Sequence, residues 1–146
     1  MLLLAALTAP CCFSVWATDS VPFKGRGEGA IVGSVPHPAG VLVRVHAEGE
    51  ATQLGRFSRD ESVLLNPTTG SIAGTVVFVA ANGDQLSGVL AGQFTSATTV
   101  AGTYTFTGGT GRFENATGEA DFSLSTPDGV HFTVQFAGSL SSVGAK

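Results

Sequence analysis

The sequence predicts an all-β protein, a single eight-stranded antiparallel up-and-down β-barrel that follows an N-terminal signal peptide. Three observations lead to this prediction. Apolar and polar residues alternate with period two along most of the chain, which places one set of side chains on each face of a pleated sheet. Turn sequences such as Asn82-Gly83 and Pro127-Asp128-Gly129 separate these runs. Charged residues make up only 12% of the chain, too few for ordinary surface helices.

The predicted strands follow one another without a linker or a helical segment. In chain order they are Phe23–Gly33, Val41–Leu54, Phe57–Leu65, Ser71–Ala80, Gln85–Thr95, Val100–Thr107, Asn115–Ser125 and Val130–Leu140.

Each half of the chain shows the alternation in its own residues. In the first half, glycine recurs at every second position within the first strand, and valine recurs in the same way in the second strand. The Asn66–Gly70 turn ends the third strand, and the fourth strand again alternates. In the second half the alternating residues are mainly aromatic. They include Phe94 on the fifth strand, Tyr104 and Phe106 on the sixth, Phe122 on the seventh, and Phe132 and Phe136 on the eighth.

Eight strands joined by short turns form either a two-sheet sandwich or a closed barrel. Immunoglobulin-type sandwiches usually have a core Trp and paired Cys residues, which are missing after residue 17. Glycines recur within the strands, as sharply coiled sheets require. Closure also removes the edges through which such an apolar sheet would aggregate. These points favour the barrel.

The N-terminal segment differs from the rest of the chain. Residues 1–17 are almost wholly apolar and end in Val15-Trp16-Ala17, with small residues where a signal peptidase cleaves. We therefore expect a signal peptide over 1–17, a barrel domain over 18–146, and a secreted or periplasmic location. The alternative is a buried N-terminal strand or helix. Cys11 and Cys12 would suggest a lipoprotein, but Pro10 stands where a small residue is expected.

One segment carries a family resemblance. Gly102 to Ala120, with its Gly108-Gly109-Thr110-Gly111-Arg112-Phe113 loop, resembles the signature of the allene oxide cyclase-like and dirigent-like barrels. Thr52–Phe57 and the Ala81–Asp84 turn also resemble uncharacterised bacterial members of these families. The resemblance implies a barrel fold and allows a cofactor-free cyclase or isomerase, but it transfers no catalytic residue. We expect Arg112 and Phe113 to be structural, with Phe113 tucked under the barrel end.

The best candidate ligand-binding residues form one aromatic set. They share a parity on successive strands and would line the interior of the barrel: Phe78, Leu90, Phe94, Tyr104, Phe106, Phe122, Phe132 and Phe136. An eight-stranded barrel has room for side chains or for one small ligand, so the interior is either hollow or solid. Tyr104 is the only phenol and the first candidate for a polar group within it.

Two other groups of residues are candidates for chemistry. His46 and His131 would flank Glu28 across the first strand, which would suit acid–base or metal chemistry, although two surface histidines are the simpler interpretation. His37, between two prolines, is expected to be solvated. The main concentration of charge is expected to form solvated cross-strand pairs, or else a charged barrel mouth or oligomer contact. It consists of Arg44, Glu48, Glu50, Arg56, Arg59, Asp60 and Glu61.

The sequence is compatible with three functions. The first is an exported barrel that binds a small hydrophobic molecule, the second a cofactor-free cyclase or isomerase, and the third a structural or interaction module with a solid core. A charged or hydroxyl-bearing residue inside the aromatic set would favour the enzyme. No nucleic-acid binding is expected, since the net charge is −4 and basic residues are scattered. We also expect no cofactor, no metal and, after signal removal, no membrane contact. The outer face of strands four to six is rich in Thr, Ser and Ala and carries few charges. This suggests that the face is partly covered, as when barrels of the resembled families associate, so homo-oligomers are expected.

Overall fold

The computed structural model describes residues 20–144 and shows a closed antiparallel barrel of eight strands in up-and-down order. The predicted signal peptide, with Cys11 and Cys12, lies outside the described residues. Within 20–144, no helix is long and apolar enough to cross a membrane. The strands are β1 (Ser20–His37), β2 (Gly40–Ala51), β3 (Gly55–Asn66), β4 (Ser71–Val79), β5 (Gln85–Phe94), β6 (Thr99–Gly109), β7 (Thr117–Ser125) and β8 (His131–Ser141).

The barrel prediction is confirmed in strand number, order and closure. β1 pairs with both β2 and β8, which closes the sheet. β1 is the main departure in length, because it continues through Pro36 to His37. The register with β2 shifts at Val32, and residues 33–37 again pair with β2. Pairing with β8 ends at Ala30↔His131, so Pro36 interrupts no hydrogen-bond ladder on that side.

Gly29 on β1 allows the sheet to coil tightly where β1 pairs with β2. A Cβ atom added at Gly29 would lie 2.6 Å from Ala47 Cα and 2.7 Å from Ala47 Cβ on β2. Real side chains do not approach a neighbouring backbone so closely, so only glycine allows β1 and β2 to lie this close together here.

One end of the barrel is capped. The β6–β7 connection forms a short 3₁₀ turn over Gly111–Phe113, and Gly111 adopts a left-handed conformation with φ of 58°. The Phe113 side chain is fully buried under this end. Arg112 donates hydrogen bonds to the Gln53 backbone oxygen (2.7 Å) and to Gln53 Oε1 (3.2 Å), which ties the cap to the β2–β3 turn. Both residues thus have the structural position that their loop suggested.

The opposite end is more open. Here the turns β1–β2, β3–β4, β5–β6 and β7–β8 meet, and six inward-facing side chains of the adjoining strands are half-buried, whereas Val100 on β6 and Phe132 on β8 are buried. The six half-buried side chains, which we call the open-end ring, are Val41, Val45, Leu65, Ile72, Phe94 and Leu124. The two ends of the interior therefore differ: one is closed by the β6–β7 connection, and the other is lined by apolar side chains.

Candidate functional site

The structure places the whole predicted aromatic set on the inner face of the barrel. Seven of its eight members are buried, and Phe94 is half-buried in the open-end ring. Phe78 is central, with ring centroids 5.3 Å from Phe57, 5.7 Å from Tyr104 and 5.7 Å from Phe136. Edge-to-face contacts at these distances are favourable packing geometries for aromatic rings. The half of the interior around Phe78 is therefore filled with side chains.

Two aromatic residues in this core were missing from the predicted set. Phe23 is fully buried and stacks on Phe136 at 5.2 Å, and Phe57 is buried beside Phe78. Their strand parity could have identified them, because Phe23 alternates with Lys24 and Phe57 with Arg56.

The expectation that Arg59 and Glu61 form solvated surface pairs is wrong. Both side chains point into the barrel, with Arg59 1% exposed and Glu61 9% exposed. They share the inward parity of β3 with Phe57 and Val63. The other charged residues of that group face outward, as expected. Alternation along β3 indicates that Arg59 and Glu61 face inward, but their charge favoured the interpretation that they are solvated.

Arg59, Glu61 and Tyr104 form a polar cluster inside the barrel, which we call the interior triad. Arg59 Nη1 donates a 2.7 Å hydrogen bond to the Tyr104 hydroxyl. Arg59 Nε lies 2.8 Å from Glu61 Oε2, but the two atoms are misaligned, and neither has a hydrogen-bond partner within the described chain. Buried polar atoms are nearly always hydrogen-bonded, so this pair has unused capacity to bind a polar group.

Aromatic rings surround the guanidinium of Arg59. Its Cζ atom lies 5.6 Å from the ring centroid of Phe78, 5.5 Å from that of Tyr104 and 5.9 Å from that of Phe132. Rings at this range attract a cation through their quadrupoles and partly replace its lost hydration. This cage explains how an otherwise apolar interior holds a permanent positive charge.

The interior shifts the acidity of its two ionisable acids. Burial raises the pKa of the Glu61 carboxyl above its ordinary value, and the charge of Arg59 opposes this rise. Burial likewise raises the pKa of the Tyr104 phenol, against the opposing effect of Arg59. A carboxyl buried in this way is a candidate proton donor or acceptor, and the guanidinium can stabilise a developing negative charge.

His46, Glu28 and His131 line one depression on the outer face but are not placed to hold a metal ion together. The two histidines lie opposite Ala30 from either side, on the outer face. However, His46 Nδ1 lies 2.9 Å from Asp60 Oδ1, and His131 Nδ1 lies 2.8 Å from Asp128 Oδ2. In residues 20–144, no group of three or more His, Cys, Asp or Glu side chains is placed to hold a metal ion. His37 is exposed at the end of β1.

Three depressions occur along β1 and its neighbouring strands. The largest, about 1080 Å³, is lined by outward-facing Lys24, Arg26, Arg56 and Asp121, among other residues. A second, of about 600 Å³, contains Glu28, His46 and His131. The third, of about 520 Å³, lies between them along Arg26 and Glu28. Their lining mixes acidic and basic groups with Phe122, Phe132 and Phe136 of the predicted aromatic set, and it does not include the interior triad.

Comparison with solved structures identifies the type of barrel. The pterocarpan synthase dirigent protein GePTS1 superposes with a TM-score of 0.60 over 93% of this chain and 96% of its own, at 15% sequence identity. The fold is that of a dirigent-like barrel. No family model and no curated protein matches the sequence. The similarity therefore concerns the fold alone, which agrees with the dirigent-like part of the resemblance seen in the Gly102–Ala120 segment.

Within this dirigent-like barrel, the interior triad and the open-end ring form the candidate site. Glu61 follows Arg59 on the inner face of β3 and is closer to the open end. Val63 and then Leu65, a member of the ring, continue the same face toward the mouth. A molecule entering from the open end would thus meet apolar side chains first and the polar triad below them.

Proposed function

We propose that the protein is exported and that its barrel binds a small hydrophobic molecule through the open end. The observation that carries this proposal is the open-end ring of half-buried apolar side chains above the buried interior triad. Ligand sites commonly combine an apolar lining with a few polar groups that fix orientation. The fold gives further support, since the similar structure is named a pterocarpan synthase.

The bound molecule would occupy the half of the interior nearer the open end. The half nearer the capped end is filled by the rings around Phe78, so the ligand would be small and would enter only as far as Glu61 and Phe132. Its apolar part would pack on the open-end ring, and an oxygen-bearing group would reach toward Glu61 and Arg59. That group would supply the hydrogen bonds that Arg59 Nε and Glu61 Oε2 lack.

A second candidate function is a cofactor-free isomerase or cyclase. The interior triad favours it, because a charged and a hydroxyl-bearing residue lie within the aromatic set. In such a reaction the walls would hold the substrate in a reactive conformation. Arg59 would stabilise negative charge that develops on a substrate oxygen, and Glu61 would accept or donate a proton.

Native mass spectrometry of protein purified from its host tests the binding proposal. We expect the wild-type protein to carry a small molecule that is released on denaturation. Ile72→Gln places an amide in the open-end ring and should abolish retention, whereas the matched Val89→Gln change on the outer face should leave it intact. A wild-type mass equal to that of the bare polypeptide, or equal retention by both variants, would contradict the proposal. A solid-core module would give the first of these results.

A further inference from the structure

Exposed apolar side chains are concentrated at the open end. Residues 20–144 have five exposed large hydrophobic side chains, and four of them lie here, namely Ile31, Val32, Val35 and Val130. We call these four the open-end patch. Ile31 and Val130 are adjacent, because the Ile31 amide donates a 2.9 Å hydrogen bond to the Val130 backbone oxygen. The fifth, Val89, lies midway along β5. A cluster of this kind marks an interaction surface, whereas single exposed residues do not.

The outer wall beside the patch is apolar as well. Val35 on β1 lies opposite Leu42 on β2. Leu42 in turn lies opposite Leu64 on β3, which lies opposite Ala73 on β4. These residues share the outer face of the sheet, since they alternate with the inward-facing positions of their strands. The next outward residue of β2 is Arg44. The apolar surface therefore continues around four strands and ends where the charged surface begins.

The open end is nearly free of charge. Its four connections and the adjoining strand ends cover residues 32–43, 64–75, 92–102 and 124–130. Asp128 is the single Asp, Glu, Lys or Arg among them, and its carboxylate accepts hydrogen bonds from the Val130 and His131 amides at 2.8 Å and 2.7 Å. The connections at the capped end carry charges of both signs, at Asp84 and Arg112. The net charge of −4 does not reveal this division of the surface.

The polar groups of the open end are largely satisfied within the chain. The hydroxyls of Thr95 and Ser96 lie 2.6 Å and 2.7 Å from the Thr99 hydroxyl. In the β3–β4 turn, Asn66 Oδ1 accepts a 2.9 Å hydrogen bond from the Thr68 amide. Groups that already have partners lose little when water is withdrawn from one side. Covering this end with an apolar phase is therefore favourable for the open-end patch and inexpensive for its surroundings.

We propose that the open end docks onto an uncharged lipid surface, from which the hydrophobic ligand enters the barrel. The docked end is the entrance of the ligand site, so this proposal rests on the proposed function. It departs from the sequence-based expectation of no membrane contact. Basic residues attract a protein to anionic lipids, and this end has neither Lys nor Arg, which favours lipids without net charge.

The chemistry of the patch favours a lipid surface over a protein partner. Its members are aliphatic, whereas protein interfaces are usually anchored by Trp, Tyr or Arg in a shaped pocket. A fluid apolar phase requires no complementary shape. Beyond Ala30, the edge of β1 toward β8 is unpaired, so its backbone groups need water. The open end therefore lies at the level of the lipid headgroups and inserts only its aliphatic side chains.

Flotation with phosphatidylcholine vesicles tests this inference. At millimolar lipid we expect the wild-type protein to float with the vesicles, equally at low and high salt, because no basic cluster takes part. The double change Val32→Glu with Val35→Glu puts two charges in the open-end patch and should weaken vesicle binding about tenfold or more. Val89→Glu adds a charge at the remaining exposed hydrophobic position, outside the patch, and should float like wild type.

Three flotation results would overturn the inference. They are a wild-type protein that stays in the buffer fraction, a Val89→Glu variant that loses flotation as the double variant does, and flotation that requires anionic lipid and is lost at high salt. Sedimentation velocity without vesicles covers the other occupant, since a wild-type dimer that the double variant abolishes would assign the patch to a second copy. Circular dichroism verifies that each variant is folded.

Native mass spectrometry separates this inference from the proposed function. The double variant leaves the open-end ring and the interior triad unchanged, so we expect it to retain the ligand although it no longer floats. A wild-type protein that retains a ligand without binding vesicles would refute the docking alone. A wild-type protein that floats but carries no ligand would refute the proposed binding and leave the docking in place.

Discussion

Arg59 on β3 donates a hydrogen bond of 2.7 Å to the hydroxyl of Tyr104 on β6, across the interior of the barrel. The two residues are 45 positions apart in sequence and lie three strands apart around the barrel. Burying an ion pair and a phenol in a core of rings costs desolvation energy that their attraction only partly offsets. A well-packed apolar core would fold as readily, which favours a functional role for the interior triad.

Removing one member of the ion pair should destabilise the barrel strongly. Glu61→Ala leaves the Arg59 guanidinium buried without its carboxylate, and we expect a loss of about 3–5 kcal/mol in the free energy of unfolding. The double variant Arg59→Met with Glu61→Leu replaces both charges by apolar groups and should fall within about 1 kcal/mol of wild type or exceed it. Urea unfolding measures both. Near-equal stability of Glu61→Ala and wild type would show that Glu61 is not buried against Arg59.

The phenol of Tyr104 should resist ionisation in the folded protein. Burial raises its pKa, so its absorbance should not change to that of phenolate as the pH passes through about 10, the usual value. The chain contains a single tyrosine, so the ultraviolet titration reports this residue directly. The protein unfolded in guanidinium is the control and should titrate normally. A folded protein with an ordinary midpoint would place Tyr104 in contact with water.

Closure at β1 should depend on the absence of a side chain at Gly29. Gly29→Ala forces a methyl group into the Ala47 backbone and should cost about 1–3 kcal/mol, as overpacking does. Gly33→Ala on the same strand is the matched control, because an added Cβ there meets nothing within 4 Å. We expect that variant to be neutral or slightly stabilised. Thermal unfolding compares the two, and equal effects would argue against tight coiling at Gly29.

His46 should make stability depend on pH. Its hydrogen bond with Asp60 raises its pKa above 6.5, so the protonated form stabilises the folded state. This contribution is fully present below pH 6.5 and is lost as the pH rises through the raised value. His46→Gln should therefore be less stable than wild type at about pH 5.5 and similar to it at about pH 9. Asp60→Asn should remove most of the same dependence, and parallel pH profiles for His46→Gln and wild type would contradict this account.

The fold was predictable from sequence because period-two alternation and turn residues act locally and agree along the chain. The parity of Phe78, Tyr104 and Phe136 placed them inside correctly, and the glycines of β1 indicated sharp coiling. Both observations can be made from the sequence without knowing which strands pair, except where β1 closes the barrel.

Of the interior triad, Tyr104 was predicted from sequence, but Arg59 and Glu61 were not, for a physical reason. Charged residues on a strand are usually solvated, and nothing local to Arg59 shows that Tyr104, Phe78 and Phe132 surround it from three other strands. The parity of Phe57 and Val63 could have placed Arg59 and Glu61 inside. Similarly, adjacency alone suggested that His46 and His131 converge on Glu28, whereas each side chain turns to a nearer aspartate.

Tyrosine fluorescence during addition of a small apolar alcohol tests the central claim most directly. From residue 18 onward the chain contains Tyr104 and no tryptophan, so its emission reports the interior triad. Menthol, which is transparent where tyrosine absorbs, should change this emission in a saturable manner in wild type and in Val89→Gln, and about tenfold more weakly in Ile72→Gln. Emission that stays constant up to the solubility limit of menthol, or that changes equally in Ile72→Gln, would contradict binding at the open end.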